Sequence, residues 1–296
     1  WIIDLRLVFR AWIKRRYIII PNYWISGSMN NKILDCITFF DNNFIFELRF
    51  NILKNYVDYF IICESKYNHK GIEKNKNFIW KKDFDQNKVK YFFIEKPFNE
   101  NDDPWKNQAI QREFLLKCTD FLDEEDYIFF SDPDEIPDPN LLVNFSLKKK
   151  YGIFLQKCFN FKFNLFNPYE TPWEGTRVAQ KKNLKSIDFM RQKIKSKNLK
   201  YKFFRFDKEK SIELFNNAGW HFNNILSPSE ISTKLKTFAH TEFSSDNFSK
   251  EEIIKSKIDS YSDLFERGHK YIKVKLDNSF PDFIIKNKEK FDDWII

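Results

Sequence analysis

An α/β fold with a mainly parallel sheet flanked by helices is predicted by three features of the chain. Short apolar runs rich in β-branched and aromatic residues occur at Lys32–Phe40, Val57–Cys63, Val89–Ile94, Tyr127–Ser131 and Ile153–Phe163. Helical stretches lie between them. Strands that alternate with helices in this way form a parallel sheet covered on both faces. Such a sheet binds ligands at the carboxyl ends of its strands, where the strand order switches.

Each helix has its own signal. Phe44–Lys54 is the first. The second opens at Asp103-Pro104, a cap followed by proline at the first helical position, and runs to about Leu122. A third is expected from Asp138-Pro139 to Lys148-Lys149-Lys150. After residue 163 the alternation loosens. Two capping boxes, Ser227-Pro228-Ser229-Glu230 and Ser249-Lys250-Glu251-Glu252, mark later helices. No internal repeat or flexible linker interrupts the chain, so residues 31–296 read as one domain behind a basic, apolar segment over residues 1–30.

Composition narrows the function classes. With 42% hydrophobic and 31% charged residues among 296, the chain is globular rather than disordered. Its net charge of +8 is unevenly spread. Residues 101–140 hold 12 acids and 3 bases, whereas residues 181–210 hold 12 bases and 3 acids. An acidic stretch beside a basic one suits a site where a cation bridges to an anionic ligand, and solvated faces are the competing reading. The basic run lacks a nucleic-acid-binding motif, so nucleic acid is not an expected partner.

Cys36, Cys63, Cys118 and Cys158 form no C-x-x-C pair. They read as buried free thiols rather than zinc ligands, which suits a reducing compartment. No uncharged apolar run approaches the ~20 residues of a membrane span. Residues 1–24 are apolar but carry Arg6, Arg10, Lys14, Arg15 and Arg16. They could lie as an amphipathic helix on an anionic membrane surface or pack on the domain. The chain begins at Trp1, which leaves room for an upstream anchor. The expected location is cytoplasmic or peripheral on the cytoplasmic membrane face, and the visible sequence does not support a lumenal one.

The chemistry concentrates in Asp126-Tyr127-Ile128-Phe129-Phe130-Ser131-Asp132-Pro133-Asp134-Glu135-Ile136-Pro137. A hydrophobic strand ends at Ser131, and Pro133 and Pro137 prevent it from continuing. Asp132, Asp134 and Glu135 are thus displayed in a rigid turn at a strand's carboxyl end. Carboxylate oxygens are hard ligands for Mg²⁺ or Mn²⁺, ions that usually bind substrate phosphates as well. That is what a nucleotide diphosphate-sugar needs, because the metal helps its diphosphate leave.

Other candidates surround the motif. His221, in Ala218-Gly219-Trp220-His221-Phe222, is a candidate metal or phosphate ligand, and Trp220 a stacking platform for a sugar. Gly219 suggests close backbone approach. Trp173 could stack on an acceptor sugar and Arg177 could pair with a phosphate. Glu64, at the end of the second strand, is placed to accept hydrogen bonds from a ribose or base. Arg112 is expected to pair with Glu64, Asp132 or the donor phosphate. The bland alternatives are a structural His, core aromatics, a surface Arg177 and an intra-helix ion pair for Arg112.

The ordered set of motifs resembles glycosyltransferase family 17, from about Ile33 onward. Asp35-Cys36, Phe39-Phe40, Glu47-Leu48-Arg49, Val57-Asp58-Tyr59-Phe60, Glu64-Ser65 and Gln111-Arg112 come first. Ser131 to Pro137, Gly219-Trp220-His221-Phe222, Lys234-Leu235 and Phe238-Ala239-His240 follow. The resemblance implies a GT-A-like, Rossmann-like sheet with a C-terminal acceptor-side extension. It also implies an inverting, Mn²⁺- or Mg²⁺-dependent enzyme that uses UDP-GlcNAc, with β-1,4 transfer to a mannose-type or other glycan acceptor. Asp41-Asn42 stands where the family usually has Asn-Glu. Inversion needs a general base. Glu135 ranks first because it matches the family motif, ahead of Glu174 and Glu242. The competing functions are a metal-dependent phosphodiesterase or nuclease, for which four scattered His are few, and a non-catalytic sugar-binding relative.

Overall fold

The computed structural model describes residues 31–98, 103–237 and 246–296. Its first four strands run parallel in the order β3-β2-β1-β4, with β1 at Ile33–Phe39, β2 at Tyr59–Ser65, β3 at Val89–Ile94 and β4 at Tyr127–Ser131. Three of the five expected strands thus shift by one to three residues at an end, and Val89–Ile94 and Tyr127–Ser131 stand as expected. The chain adds β2 and β3 on one side of β1, then returns to place β4 on the other. The switch in strand order therefore falls between the carboxyl ends of β1 and β4.

Strand alternation divides the core into two layers. Phe39 of β1, Phe60 and Ile62 of β2, and Phe129 of β4 join one cluster. Helix α1 (Asn43–Leu53) covers that face with Ile45, Phe46, Leu48 and Phe50. Leu34, Cys36, Ile61, Cys63, Ile128 and Phe130 point the other way, toward Leu115 of α2 (Pro104–Lys117) and Met190 of α3 (Ile187–Lys193). The result is a mixed α/β layered fold with helices on both faces. Asp103 caps α2 as expected, accepting from the amides of Trp105 and Lys106. All four cysteines are free and buried.

Beyond β4 the sheet becomes mixed. β5 (Glu135–Pro137), β6 (Tyr151–Asn160), β7 (Leu165–Phe166), β8 (Trp173–Gln180), β9 (Ile212–Phe215), β10 (Gly219–Asn223) and β11 (Ile272–Lys273) complete eleven strands among the described residues. β8 joins β4 and β6 antiparallel, while β6 pairs parallel with β9 and β10. The helix expected from Asp138 to Lys150 is absent. Only a 3-10 turn forms at Pro139–Leu141, because Asn144 adopts φ 53° and Phe145 and Leu147 turn inward onto the core.

Among the described residues four α-helices follow: α4 (Pro228–Thr237), α5 (Asp246–Ser249), α6 (Glu251–Asp259) and α7 (Asp282–Lys286). The first capping box closes reciprocally, with the Ser227 amide on Glu230 at 2.8 Å and the Glu230 amide on Ser227 Oγ at 3.3 Å. The helix at the second box starts one residue later than the box predicts. The cap of α6 is Lys250, without a side-chain cap bond. Residues Asn31–Ile296 make one compact unit. The membrane-surface or packed helix expected at residues 1–24 lies outside the described residues.

A buried ion pair interrupts the apolar layer beneath α1. Asp35 is fully buried on β1, and Arg49, equally buried on α1, meets it with Nε at 2.6 Å and Nη2 at 2.5 Å. Removing one partner of a buried ion pair leaves the other charge uncompensated. Arg49→Met is therefore expected to destabilise the fold by about 3–5 kcal/mol, measured by urea unfolding. A loss under about 1 kcal/mol would contradict this reading.

Candidate functional site

The turn after β4 is held from two sides. From the α1 side, Arg49 Nη1 donates to the carbonyls of Glu135 at 2.7 Å and Pro133 at 3.3 Å. On the other side lies the Glu135 carboxylate, fully buried. It accepts from Arg191 Nη1 and Nη2 at 3.0 and 2.7 Å, from Trp173 Nε1 at 2.7 Å, and from the Asp132 amide at 3.1 Å. Arg191 Nη2 also reaches Asp132 Oδ2 at 2.6 Å. This bidentate arrangement orients Arg191, a residue that sequence reasoning missed.

Asp132 and Asp134 face a cavity of about 1010 Å³ at the switch point. Thr38 to Asn42 at the end of β1 form one wall, and Gln108, Gln111 and Arg112 of α2 another. Trp173, Glu174, Arg191 and Lys195 form a third, and Asn224 and Lys234 also line the cavity. Arg112 pairs with Asp188 at 3.1 Å and approaches Asp132 at 4.0 Å. Burial works against charge on Asp132, but Arg191 and then Arg112 outweigh it and hold its pKa below the usual carboxylate value. Burial, with Arg177 and Arg191 nearby, lowers Lys195 to about 8. The cavity thus sets two carboxylates beside several cations.

β10 brings His221 to the motif. Gly219 sits at φ 130°, and a Cβ there would fall 2.2 Å from the Ile136 carbonyl oxygen. Glycine alone lets β10 lie this close to β5, which places His221 opposite Glu135. His221 Nε2 approaches Asp134 Oδ1 at 3.6 Å, Nδ1 stands 3.6 Å from Cys158 Sγ, and the ring stacks on Trp173 at 4.6 Å. Burial opposes both charges. The mutual attraction outweighs it, holding Asp134 down at about 2 and His221 well above its ordinary value.

Four expected site residues do not play the parts the sequence suggested. Glu64 points to the α1 face, where Asn77, Phe78, Tyr91 and Lys74 occupy its carboxylate. Arg112 lies on the opposite face, so the two cannot pair. Trp220 alternates with His221 along β10 and is buried in the core, its Nε1 on the Ser279 carbonyl at 3.0 Å. Arg177 is fully buried and bonds the carbonyls of Ile194, Glu174 and Gly175. Glu135 has four donors on two oxygens and no face toward solvent. Glu174 lines the cavity while accepting from Ser196 and Arg177, and Glu242 lies outside the described residues.

A metal could be held by Asp132 and Asp134. Each keeps an oxygen that accepts no hydrogen bond among the described residues, and their side chains are 33% and 18% exposed. Among the described residues no three His, Cys, Asp or Glu side chains group into a cage. An ion bound through one or two carboxylates and substrate phosphates needs no such cage.

The family model for glycosyltransferase family 17 matches residues 18–274. The chain belongs to glycosyltransferase family 17. It is accordingly a transferase enzyme, with nucleotide-sugar and glycan substrates as the family's general partners. Among solved structures it is similar to HddC from Yersinia pseudotuberculosis, at 11% identity over 63% of this chain and 90% of that one, with a TM-score of 0.33. It is also similar to a putative glucose-1-phosphate thymidylyltransferase from Bacillus anthracis in complex with a sucrose. There the identity is 12% over 62% of this chain and 86% of that one, with a TM-score of 0.31. No curated protein matches it. No helix among the described residues is long and apolar enough to cross a membrane.

The His221–Asp134 pair predicts a pH signature. The depressed Asp134 contributes stability above the ordinary carboxylate value and loses it as pH falls toward about 2. The raised His221 contributes fully below its ordinary value and loses this as pH rises toward its folded value. The melting temperature of wild type minus that of His221→Gln should therefore be largest near pH 4–6.5 and shrink above it. A difference that is flat with pH would contradict the pairing.

Proposed function

We propose that the enzyme transfers a sugar, GlcNAc from UDP-GlcNAc, with inversion to a glycan hydroxyl, as a β-1,4 linkage to a mannose-type or similar acceptor. The observation that carries this reading is the pair of cavity-facing carboxylates, Asp132 and Asp134, fixed at the switch point beside Arg112, Arg191 and Lys195. The donor sugar, linkage and acceptor rest on the family alone. Mn²⁺ or Mg²⁺ held by the two aspartates would supply a Lewis acid for the leaving diphosphate. Arg112 and Lys195 would meet the remaining phosphate charge. His221 would hold the Asp134 carboxylate ionised beside the ion. Trp173 presents a partly exposed ring to the cavity and is placed to pack on a sugar. At about 1010 Å³ the cavity slightly exceeds the roughly 300–1,000 Å³ of a typical single-ligand pocket, which leaves room for donor and acceptor together.

Glu135 is better suited to orienting the turn than to taking a proton, since its lone pairs are already engaged. We assign the general base to Asp41 instead. It stands exposed on the cavity wall, and its carboxylate accepts no hydrogen bond among the described residues. Partial enclosure raises its pKa against the opposing effect of Lys234. A cavity-facing carboxylate of raised pKa is what proton abstraction from a hydroxyl requires. A phosphodiesterase reading is less favoured, because its two-metal chemistry calls for more grouped ligands than Asp132 and Asp134 supply.

Asp132→Asn and Asp134→Asn should each reduce transfer from UDP-GlcNAc by about a hundredfold or more and abolish the effect of Mn²⁺ on donor affinity. Transfer at wild-type rate in either variant would refute the donor-site assignment. Asp41→Asn should lower kcat by about 10²–10⁴-fold while leaving the donor Kd unchanged. An unchanged kcat would return the base to Glu174.

A further inference from the structure

The 3-10 turn Ser196–Lys200 and β9 are joined by a loop whose rings point into solvent. Phe203 is 85% exposed, Phe206 89% and Phe204 53%, with Leu199 and Tyr201 also exposed. The loop is built rather than slack. The amides of Arg205, Phe206 and Lys208 donate to the carbonyls of Lys202, Phe204 and Arg205 at 3.1, 3.0 and 3.2 Å. Two consecutive turns therefore hold the rings outward. Bases are interleaved with them at Lys200, Lys202, Arg205, Lys208 and Lys210, against only Asp207 and Glu209. Arg205 and Lys208 both reach Asp207, at 2.7 and 3.2 Å, so this one acid also orders the turn.

We propose that this loop docks the enzyme on an anionic lipid surface, with Phe203, Phe204 and Phe206 inserted at the headgroup boundary. Large exposed aromatic clusters mark interaction sites rather than ordinary surface. The chemistry of the partner follows from the interleaved bases. Centres of protein–protein interfaces are depleted of lysine, whereas lysines beside inserted rings pair with lipid phosphates while their stems lie on the apolar boundary. The charge and the rings thus ask for the same partner. The loop also continues from the cavity wall. Lys197 lines the cavity, and Phe203 follows six residues later, at most about 20 Å of extended chain away. Docking here would keep the cavity close to a sugar displayed on the same surface. The proposal is independent of residues 1–24 and of the donor assignment.

The test is co-sedimentation of the full chain with phosphatidylcholine vesicles containing about a quarter phosphatidylserine, with pure phosphatidylcholine vesicles as the comparison. Wild type should bind the anionic vesicles and weaken as salt rises from about 0.05 to 0.5 M. Phe203→Ser/Phe206→Ser should lose about tenfold or more in affinity with an unchanged melting temperature, since these rings pack little inside the protein. Lys202→Glu/Lys208→Glu should lose affinity for the anionic vesicles. Unchanged binding by the serine variant would place the contact elsewhere, residues 1–24 included, and overturn the proposal. A wild type that ignores vesicles, or one that dimerises and is made monomeric by the serine substitutions, would overturn it equally.

Discussion

Two buried guanidinium groups shape the Asp132–Glu135 turn, and the site depends on both. Arg49 neutralises Asp35 and donates to the turn's carbonyls. Arg191 neutralises Glu135 and reaches Asp132. Backbone carbonyls under α1 have no water to bond, so Arg49 satisfies groups that would otherwise be buried unpaired. The planar fork of arginine suits both tasks, and a lysine would satisfy fewer partners in fixed directions. Buried ion pairs often add little net stability, because desolvation offsets attraction. Here the pairs fix geometry, since Pro133 interrupts the strand between β4 and β5 and the turn's carbonyls need partners from outside it.

That constraint explains why several family motifs are spread along the chain. Asp35 and Arg49 form the support beneath the turn. Gln111 bonds the carbonyls of Phe39 and Cys63, which ties α2 to the ends of β1 and β2 where the cavity opens. Gly219 lets β10 close against β5 and delivers His221. Lys234 bonds Asn224 at 2.8 Å in the cavity lining. Asn42 caps α1 through its side chain, which leaves its neighbour Asp41 on the cavity wall.

The parallel core and the carboxylate turn were legible because local rules govern them. Apolar runs fixed the strands, and a strand followed by two prolines marked the turn. The third helix failed because Asn144 turns left-handed and the chain ahead of β6 is spent covering the core. Site residues failed where the face of a strand decided. Trp220 and His221 are adjacent, yet alternation sends one into the core and the other to Asp134. Glu64 falls on the α1 face by the same alternation, whereas Arg112 belongs to α2, which covers the opposite face. Arg191 carried no local signal, because it lies in a basic run that resembles solvated surface and meets Asp132 only through the tertiary fold. Glu135 looked reactive by type, and only its four donors showed it to be engaged.

The most direct measurement is a crystal structure of the enzyme with UDP and Mn²⁺. The account predicts the diphosphate at the end of β4, the ion on Asp132 and Asp134, Arg112 and Lys195 facing the phosphates, and Glu135 still bound to Arg191 beneath the turn. A nucleotide bound away from this cavity, or a Glu135 that leaves Arg191 to face the ligand, would contradict it.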